Sequence, residues 1–310
     1  MRLIFMGTPA FAVPSLEKLA AAGLEIAAVV TQPDRPRGRG QRLLPSPVKE
    51  QALALGLTVL QPPKVREPAF IAQLKELAPD LILVVAFGQI LPPALLDLPP
   101  LGCVNLHASL LPRLRGAAPI QWALLNGDAL TGVTTMYMAP ALDTGDIILQ
   151  EEEAIRDDDT AGTLADRLAA RGAELLLTTV RAIRAGQAPR RPQDEAEATY
   201  APPLTRADEV LDWQEPALAL ARRVRALNPQ PGAVTRVAGK AVKIWRARPV
   251  QEAAGAPGRV LAVKGGGGIL VGSGAGALLV EEVQPAGRRA MPATAFASGY
   301  RVAEGDVWGR

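Results

Sequence analysis

Short apolar runs alternate with helical text from the first residue. RLIFMG is a run of strand length stopped by Gly7. From Pro14 to Ala22 the apolar positions recur at helical spacing, and Gly23 stands where a helix C-cap would. EIAAVVTQ is a second run, bounded by Pro33 and Asp34. Strand, helix and strand with short connections predict a parallel crossover unit. The alternation continues through a helix from Pro47 to Ala54, the strand TVLQ, a helix from Pro68 to Leu77, the strand DLILVVAFG, a short helix around Pro93 to Leu96, and the strand GCVNLH. These runs are continuously apolar, so both sheet faces are covered. The pattern is that of a doubly wound α/β domain with a mostly parallel sheet.

Helical text resumes at Ala118 to Asn126. GVTTMYMA alternates like a strand ending near Pro140, DIILQEEEAI reads as another, and Thr160 to Ala185 is a long amphipathic helix. Gln187 to Leu204 is rich in proline and charge without a sustained period, which predicts a linker. One helix, Pro216 to Ala226, precedes short β-type runs separated by glycine-rich turns, the texture of a small, mostly-β, OB-like barrel. The predicted division is therefore a first domain over 1–188, a linker over 189–205 and a C-terminal barrel over 206–310, and 310 residues suit two domains. Gly265 to Gly268 is read as a turn between strands.

Hydrophobic residues at 48% and charged residues at 21% exclude disorder. A single cysteine, Cys103, excludes an internal disulfide framework and a multi-cysteine metal site, and fits a reducing compartment; a cytoplasmic protein is expected. The N-terminus meets Gly7 and Pro9 too soon for a signal peptide, and no apolar window has the length of a membrane span. Charge is unevenly divided. Residues 1–205 carry 19 Lys and Arg against 22 Asp and Glu, whereas 206–310 carry 15 against 9. A basic C-terminal part points to a polyanionic partner.

His107 is the only histidine, at the end of a strand in VNLHASLLP, so any conventional imidazole acid–base role falls on it. The carboxyl ends of parallel strands are where open α/β sheets place ligands. Asn105 lies two residues earlier on the same face, and an amide donor beside an imidazole suits a developing carbonyl oxyanion. In ALDTGDI, Asp143 is the carboxylate expected to orient the imidazole, while Asp146 is read as a turn residue. Gly7 to Pro9 lacks the further glycines of a dinucleotide turn and the lysine of a P-loop, and is read as the strand-to-helix turn of the fold. No His/Cys/Asp cluster has metal-ligand spacing, and no metal is expected.

FMGTPAFAVPSL, TQPDRPRGRGQ, PSPVK, VVAFGQILP, GCVNLHASLLPRLRGAAPIQWALLNGD, TGVTTMYM, LDTGDI and LNPQPGA together resemble the folate-dependent formyltransferases. The TQPDRPRGRG loop and the C-terminal domain narrow the likeness to the methionyl-tRNA formyltransferase family. That resemblance implies a Rossmann-like first domain and transfer of a formyl group from 10-formyltetrahydrofolate to the α-amino group of methionine on initiator tRNA. It places the catalytic Asn, His and Asp on Asn105, His107 and Asp143. It places folate contacts on Gly88, Ile90 and Leu91 and on Ser109, Leu110, Leu111 and Pro112.

For the RNA, the arginine loop with Arg35, Arg37, Arg39 and Arg42 and the basic C-terminal residues Arg222, Arg223, Lys240, Lys243 and Arg246 are the candidates. The chain departs from the family pattern at Gln230, where an aromatic is common. A monomer without membrane attachment is expected. Two alternatives remain open at this level: a folate-dependent formyltransferase acting on a small amine, and a non-catalytic RNA-binding protein on the same scaffold.

Overall fold

The computed structural model describes all residues except 38–41, 265–266 and 310. The chain divides into two compact units, one made of 1–119, 130–154 and 165–201, the other of 120–129, 155–164 and 202–310.

In the first unit the elements run β1 (Arg2–Gly7), α1 (Val13–Ala21), β2 (Glu25–Val30), β3 (Arg35–Arg37), β4 (Arg42–Leu44), α2 (Pro47–Ala54), β5 (Val59–Leu60), α3 (Pro68–Glu76), β6 (Leu81–Val85), α4 (Pro93–Leu96), β7 (Cys103–His107) and β8 (Arg115–Gly116). After α5 (Pro119–Asn126), which falls almost wholly in the second unit, come β9 (Leu130–Tyr137), β10 (Ile147–Ala154), α6 (Ala161–Arg184) and β11 (Tyr200–Ala201). Seven strands form one sheet in the order β10-β9-β7-β6-β1-β2-β5. From β5 to β7 the strands are parallel, and β9 and β10 add an antiparallel edge.

Leu3 to Met6 and Leu81 to Val85 are buried at every position, the result of helices covering both faces that continuous apolar runs predict. Gly7 ends β1 because a Cβ there would come within 3.0 Å of Ala12, Phe5 and the Val85 carbonyl, so the strand-to-helix turn passes too close for any side chain. Ser46 caps α2, its Oγ accepting from the Lys49 amide at 3.0 Å. Cys103 is buried, and burial pushes its thiol pKa up to about 12, so it behaves as a small apolar residue.

Two stretches differ from the sequence reading. The arginine loop is entered and left by a short antiparallel ladder, β3 on β4, which pairs Arg35 with Leu44 and Arg37 with Arg42; its tip lies outside the described residues. The stretch read as a linker is bound to the first unit as far as Ala201. Residues Tyr200 and Ala201 form β11 beside β8, and Arg191 exchanges both backbone hydrogen bonds with Ile147. Composition could not reveal this, because each partner lies far away in the chain.

The second unit holds α7 (Ala217–Ala226), β12 (Ala233–Val237), β13 (Lys240–Val250), β14 (Val260–Lys264), β15 (Gly268–Gly272), β16 (Ala277–Pro285), β17 (Met291–Pro292) and α8 (Ala293–Tyr300). Its antiparallel sheet has the order β12-β13-β16-β15-β14, with β17 on β16. Trp308 bridges to Val237 and Val307 to Arg259, so the end of the chain joins the two outer strands in the manner of a barrel. Trp213 and Trp308 pack edge-to-face at 6.0 Å within a core that includes Leu220, Val224, Ile244 and Phe296. α8 has no counterpart in the sequence reading. Among the described residues no helix is long and apolar enough to cross a membrane.

Candidate active site

The carboxyl ends of β1, β6 and β7 lie on one edge of the sheet because these strands are parallel neighbours. His107 ends β7 and is 6% exposed. Asn105 is paired between Val84 and Met136, two residues before it, so the strand repeat puts both side chains on one face. Asp143 follows β9, the antiparallel neighbour of β7, and its Oδ2 comes within 3.7 Å of His107 Nδ1. The loop and strand end that the sequence sets 36 positions apart are thereby brought together.

The hydrogen bonds around the ring define what it can do. His107 Nε2 lies 2.9 Å from the Leu114 carbonyl oxygen, which can only accept, so Nε2 carries a proton in the neutral ring. Nδ1 is then the basic atom, and it faces the carboxylate. At 3.7 Å the two groups stand beyond hydrogen-bond distance, close enough for charge attraction when the ring is protonated. Asp143 Oδ2 accepts from the Gly116 amide at 2.8 Å, and Asp143 itself adopts φ +53°, a left-handed conformation costly for a side chain. Leu114 is left-handed too, at φ +57°. Both residues that hold the imidazole therefore sit in strained backbone, which the surrounding contacts must maintain.

Gly145 is what lets this turn pass. A Cβ there would lie 1.7 Å from the Tyr137 carbonyl. Asp146, the last residue before β10, is partly exposed and 3.8 Å from Arg190.

Of the residues assigned to the folate, Gly88 and Ile90 are exposed beyond β6, and Ile90 at 84% is the most exposed large apolar side chain described. Leu142, 59% exposed beside Asp143, is a second uncovered apolar group that the sequence reading passed over. Leu91, by contrast, is packed in the core beneath α3 and α4. Ser109 is 1% exposed; its Oγ donates to the Arg113 carbonyl at 2.6 Å and its own carbonyl accepts from Thr134 Oγ1. Leu111 is likewise buried, against Met136 and Ile147. Leu91, Ser109 and Leu111 thus hold the loops in shape, and Leu110 and Pro112 are partly open. A cavity of about 260 Å³ opens beside Gly88 at the ends of β1, β2 and β6, lined by Thr8, Gln32, Arg35, Ser46 and Phe87 among others.

The RNA candidates separate in the same way. Arg35 is exposed, with a 3.3 Å contact to Gln32; Arg39 lies outside the described residues, and so do the side chains of Arg37 and Arg42. In the second unit Lys240 is exposed, Lys243 donates to the Pro231 carbonyl, and Arg246, 68% exposed, pairs with Glu281 at 3.1 Å. Arg222 donates to the Asn126 carbonyl at 3.4 Å. Arg223 is the most engaged of these candidates: its guanidinium donates to Glu215 at 2.8 Å and to the Asp208 carbonyl at 3.1 Å, commitments a phosphate would have to displace.

Residues 1–180 match the family model described as formyl transferase, and 203–301 match the formyl transferase C-terminal domain. The methionyl-tRNA formyltransferase of Moorella thermoacetica is 56% identical over 310 residues, covering 100% of this chain and 99% of that one. The chain belongs to the methionyl-tRNA formyltransferase family. A second formyltransferase of that name, from Pelotomaculum thermopropionicum, is 51% identical over 311 residues, again across 100% of this chain and 99% of its own. Among solved structures, HypX from Aquifex aeolicus in complex with tetrahydrofolic acid superposes with a TM-score of 0.68 at 20% identity, over 97% of this chain and 47% of that one. The N-formyltransferase from Helicobacter canadensis, complexed with folinic acid and dTDP-3-aminofucose, has a TM-score of 0.67 at 18% identity, over 91% of this chain and 98% of its own. These two share the formyltransferase fold.

Among the described residues no group of three or more His, Cys, Asp or Glu side chains could hold a metal ion.

Proposed function

We propose that Asn105, His107 and Asp143 carry the transfer of a formyl group from 10-formyltetrahydrofolate to the α-amino group of methionine on initiator tRNA. The observation that carries this reading is the single imidazole at a parallel strand end, with Nε2 tied to a carbonyl and Nδ1 turned toward a carboxylate at 3.7 Å. The amine nitrogen bonds to the formyl carbon and the carbonyl oxygen gains charge. Asn105 donates to that oxygen, as does His107 through Nδ1 when protonated. The nitrogen loses a proton, N10 of the folate gains one, and the C–N10 bond breaks. His107 Nδ1 is the atom that exchanges these protons, and Asp143 stabilises the imidazolium in between. The formyl group arrives activated, so the chemistry needs no Lewis acid.

Ile90 and Leu142 offer uncovered apolar surface at the strand ends, suited to the planar ring of the folate. Purified protein given 10-formyltetrahydrofolate is expected to formylate Met-tRNA of the initiator type far faster than elongator Met-tRNA or a small amine such as an amino sugar. Preference for the small amine would overturn the reading.

The arginine loop and the basic C-terminal surface attract the RNA backbone through counterion release, a salt-dependent term. Arg39→Ala and Arg42→Ala are therefore expected to raise KM for tRNA and to flatten its dependence on salt by about one counterion each, with kcat little changed. An unchanged salt slope in steady-state kinetics would remove the loop from the interface.

A further inference from the structure

The stretch that leads out of the first unit holds both strained residues beside the imidazole. Gln193 Nε2 donates to the carbonyls of Asp143 and Gly145, each at 2.8 Å, and Oε1 accepts from Arg115 Nε at 3.0 Å. The amide's orientation follows from its partners: an arginine only donates and a carbonyl only accepts. Arg115 is fully buried and is gripped bidentately by Glu195 at 2.8 and 2.9 Å, a pairing that raises the guanidinium pKa and lowers that of the carboxylate. Six residues after Gln193, Thr199 Oγ1 accepts from the Leu114 amide at 2.8 Å and its carbonyl accepts from the Arg115 amide at 2.8 Å. Leu114 is the residue whose carbonyl receives His107 Nε2.

We infer that Gln193 and Thr199 are positioning residues for catalysis: Gln193 fixes the left-handed turn that presents Asp143, and Thr199 fixes the left-handed Leu114 that sets which nitrogen of His107 is basic. The inference rests on the catalytic reading of His107 and Asp143. Neither residue touches the reacting atoms. Each satisfies a backbone group in a conformation the chain would not otherwise keep, at the two points that hold the ring.

Four variants of the full chain, together with His107→Ala, test this in formyl transfer to Met-tRNA. Gln193→Ala and Thr199→Val are expected to lower kcat about tenfold or more, with KM for both substrates within about threefold of the parent, because orientation is lost and binding surface is not. Thr199→Ser keeps the acceptor oxygen and is expected to retain kcat within about threefold. Gln193→Glu keeps the acceptor for Arg115 but sets an oxygen against two carbonyls, and falls with Gln193→Ala. Folded Gln193→Ala and Thr199→Val with unaltered kcat overturn the inference, as does a Thr199→Ser as slow as Thr199→Val. If His107→Ala itself stays active, the catalytic reading fails. If it is inactive while the positioning variants are not, only the positioning role fails. Should Gln193→Ala not fold, the Thr199 pair decides alone.

Discussion

His107→Ala is expected to lower kcat for formyl transfer about a thousandfold, a loss of about 4 kcal/mol, within the range for removing a general acid–base that also stabilises an oxyanion. The substitution deletes Nδ1, the atom proposed to exchange protons with the reactants, and with it the partner of Asp143. In the proposed mechanism the remaining Asn105 donor and the alignment of two bound substrates would account for the residual rate. KM for folate and tRNA should change little, since the ring is 6% exposed and offers almost no binding surface. The Leu114 carbonyl also loses its donor, at a stability cost of about 1 to 3 kcal/mol, so kinetics are to be read below the unfolding transition of the variant. Single-turnover measurements with saturating substrates check the expectation. Retention of more than about a tenth of kcat, a deficit under about 1.4 kcal/mol, sinks the role given to this residue.

Gly145→Ala should be nearly as damaging without touching a reacting group. Its Cβ would stand 1.7 Å from the carbonyl oxygen of Tyr137, which belongs to the end of β9, so no side-chain rotation relieves the clash and the backbone must move. Two residues earlier is Asp143, whose place beside Gly116 and His107 depends on that turn. A loss of about a hundredfold in kcat, about 2.7 kcal/mol in the barrier, is expected together with about 2 to 3 kcal/mol of stability lost to overpacking. Gly23→Ala is the matching control. Gly23 has φ +68°, but a methyl group there would meet nothing within 4 Å, so the substitution should cost about 1 kcal/mol of backbone strain and leave kcat alone. Thermal unfolding and kcat measured on both variants separate a general weakening from displacement of the carboxylate. Equal activity in the two would show that the turn tolerates the shift.

Much of the first unit was readable because its signals are local. A helix repeats every 3.6 residues and a strand every two, so the helix Pro47–Ala54 and the short helix at Pro93 fall where periodicity and punctuation put them, and Asn105 shares a face with His107 by counting alone. α8 has no counterpart in the sequence reading because ATAFASGY is too short to show a helical repeat; in the fold it buries Phe296 against Trp308. Motif likeness supplied the three candidate catalytic groups, yet it could not say that Ser109 turns inward or that Arg223 pairs with Glu215.

Residue type and spacing along the chain determined the main alternation of strands and helices in the first unit and the one available imidazole, and motif likeness gave the family. Tertiary structure alone decided which imidazole nitrogen is basic, that two left-handed residues flank it, and that Gln193 and Thr199 hold them. Those contacts join positions 50 and 85 residues apart. A hydrogen bond acts over about 3 Å of space whatever the separation in sequence, and no local period records it.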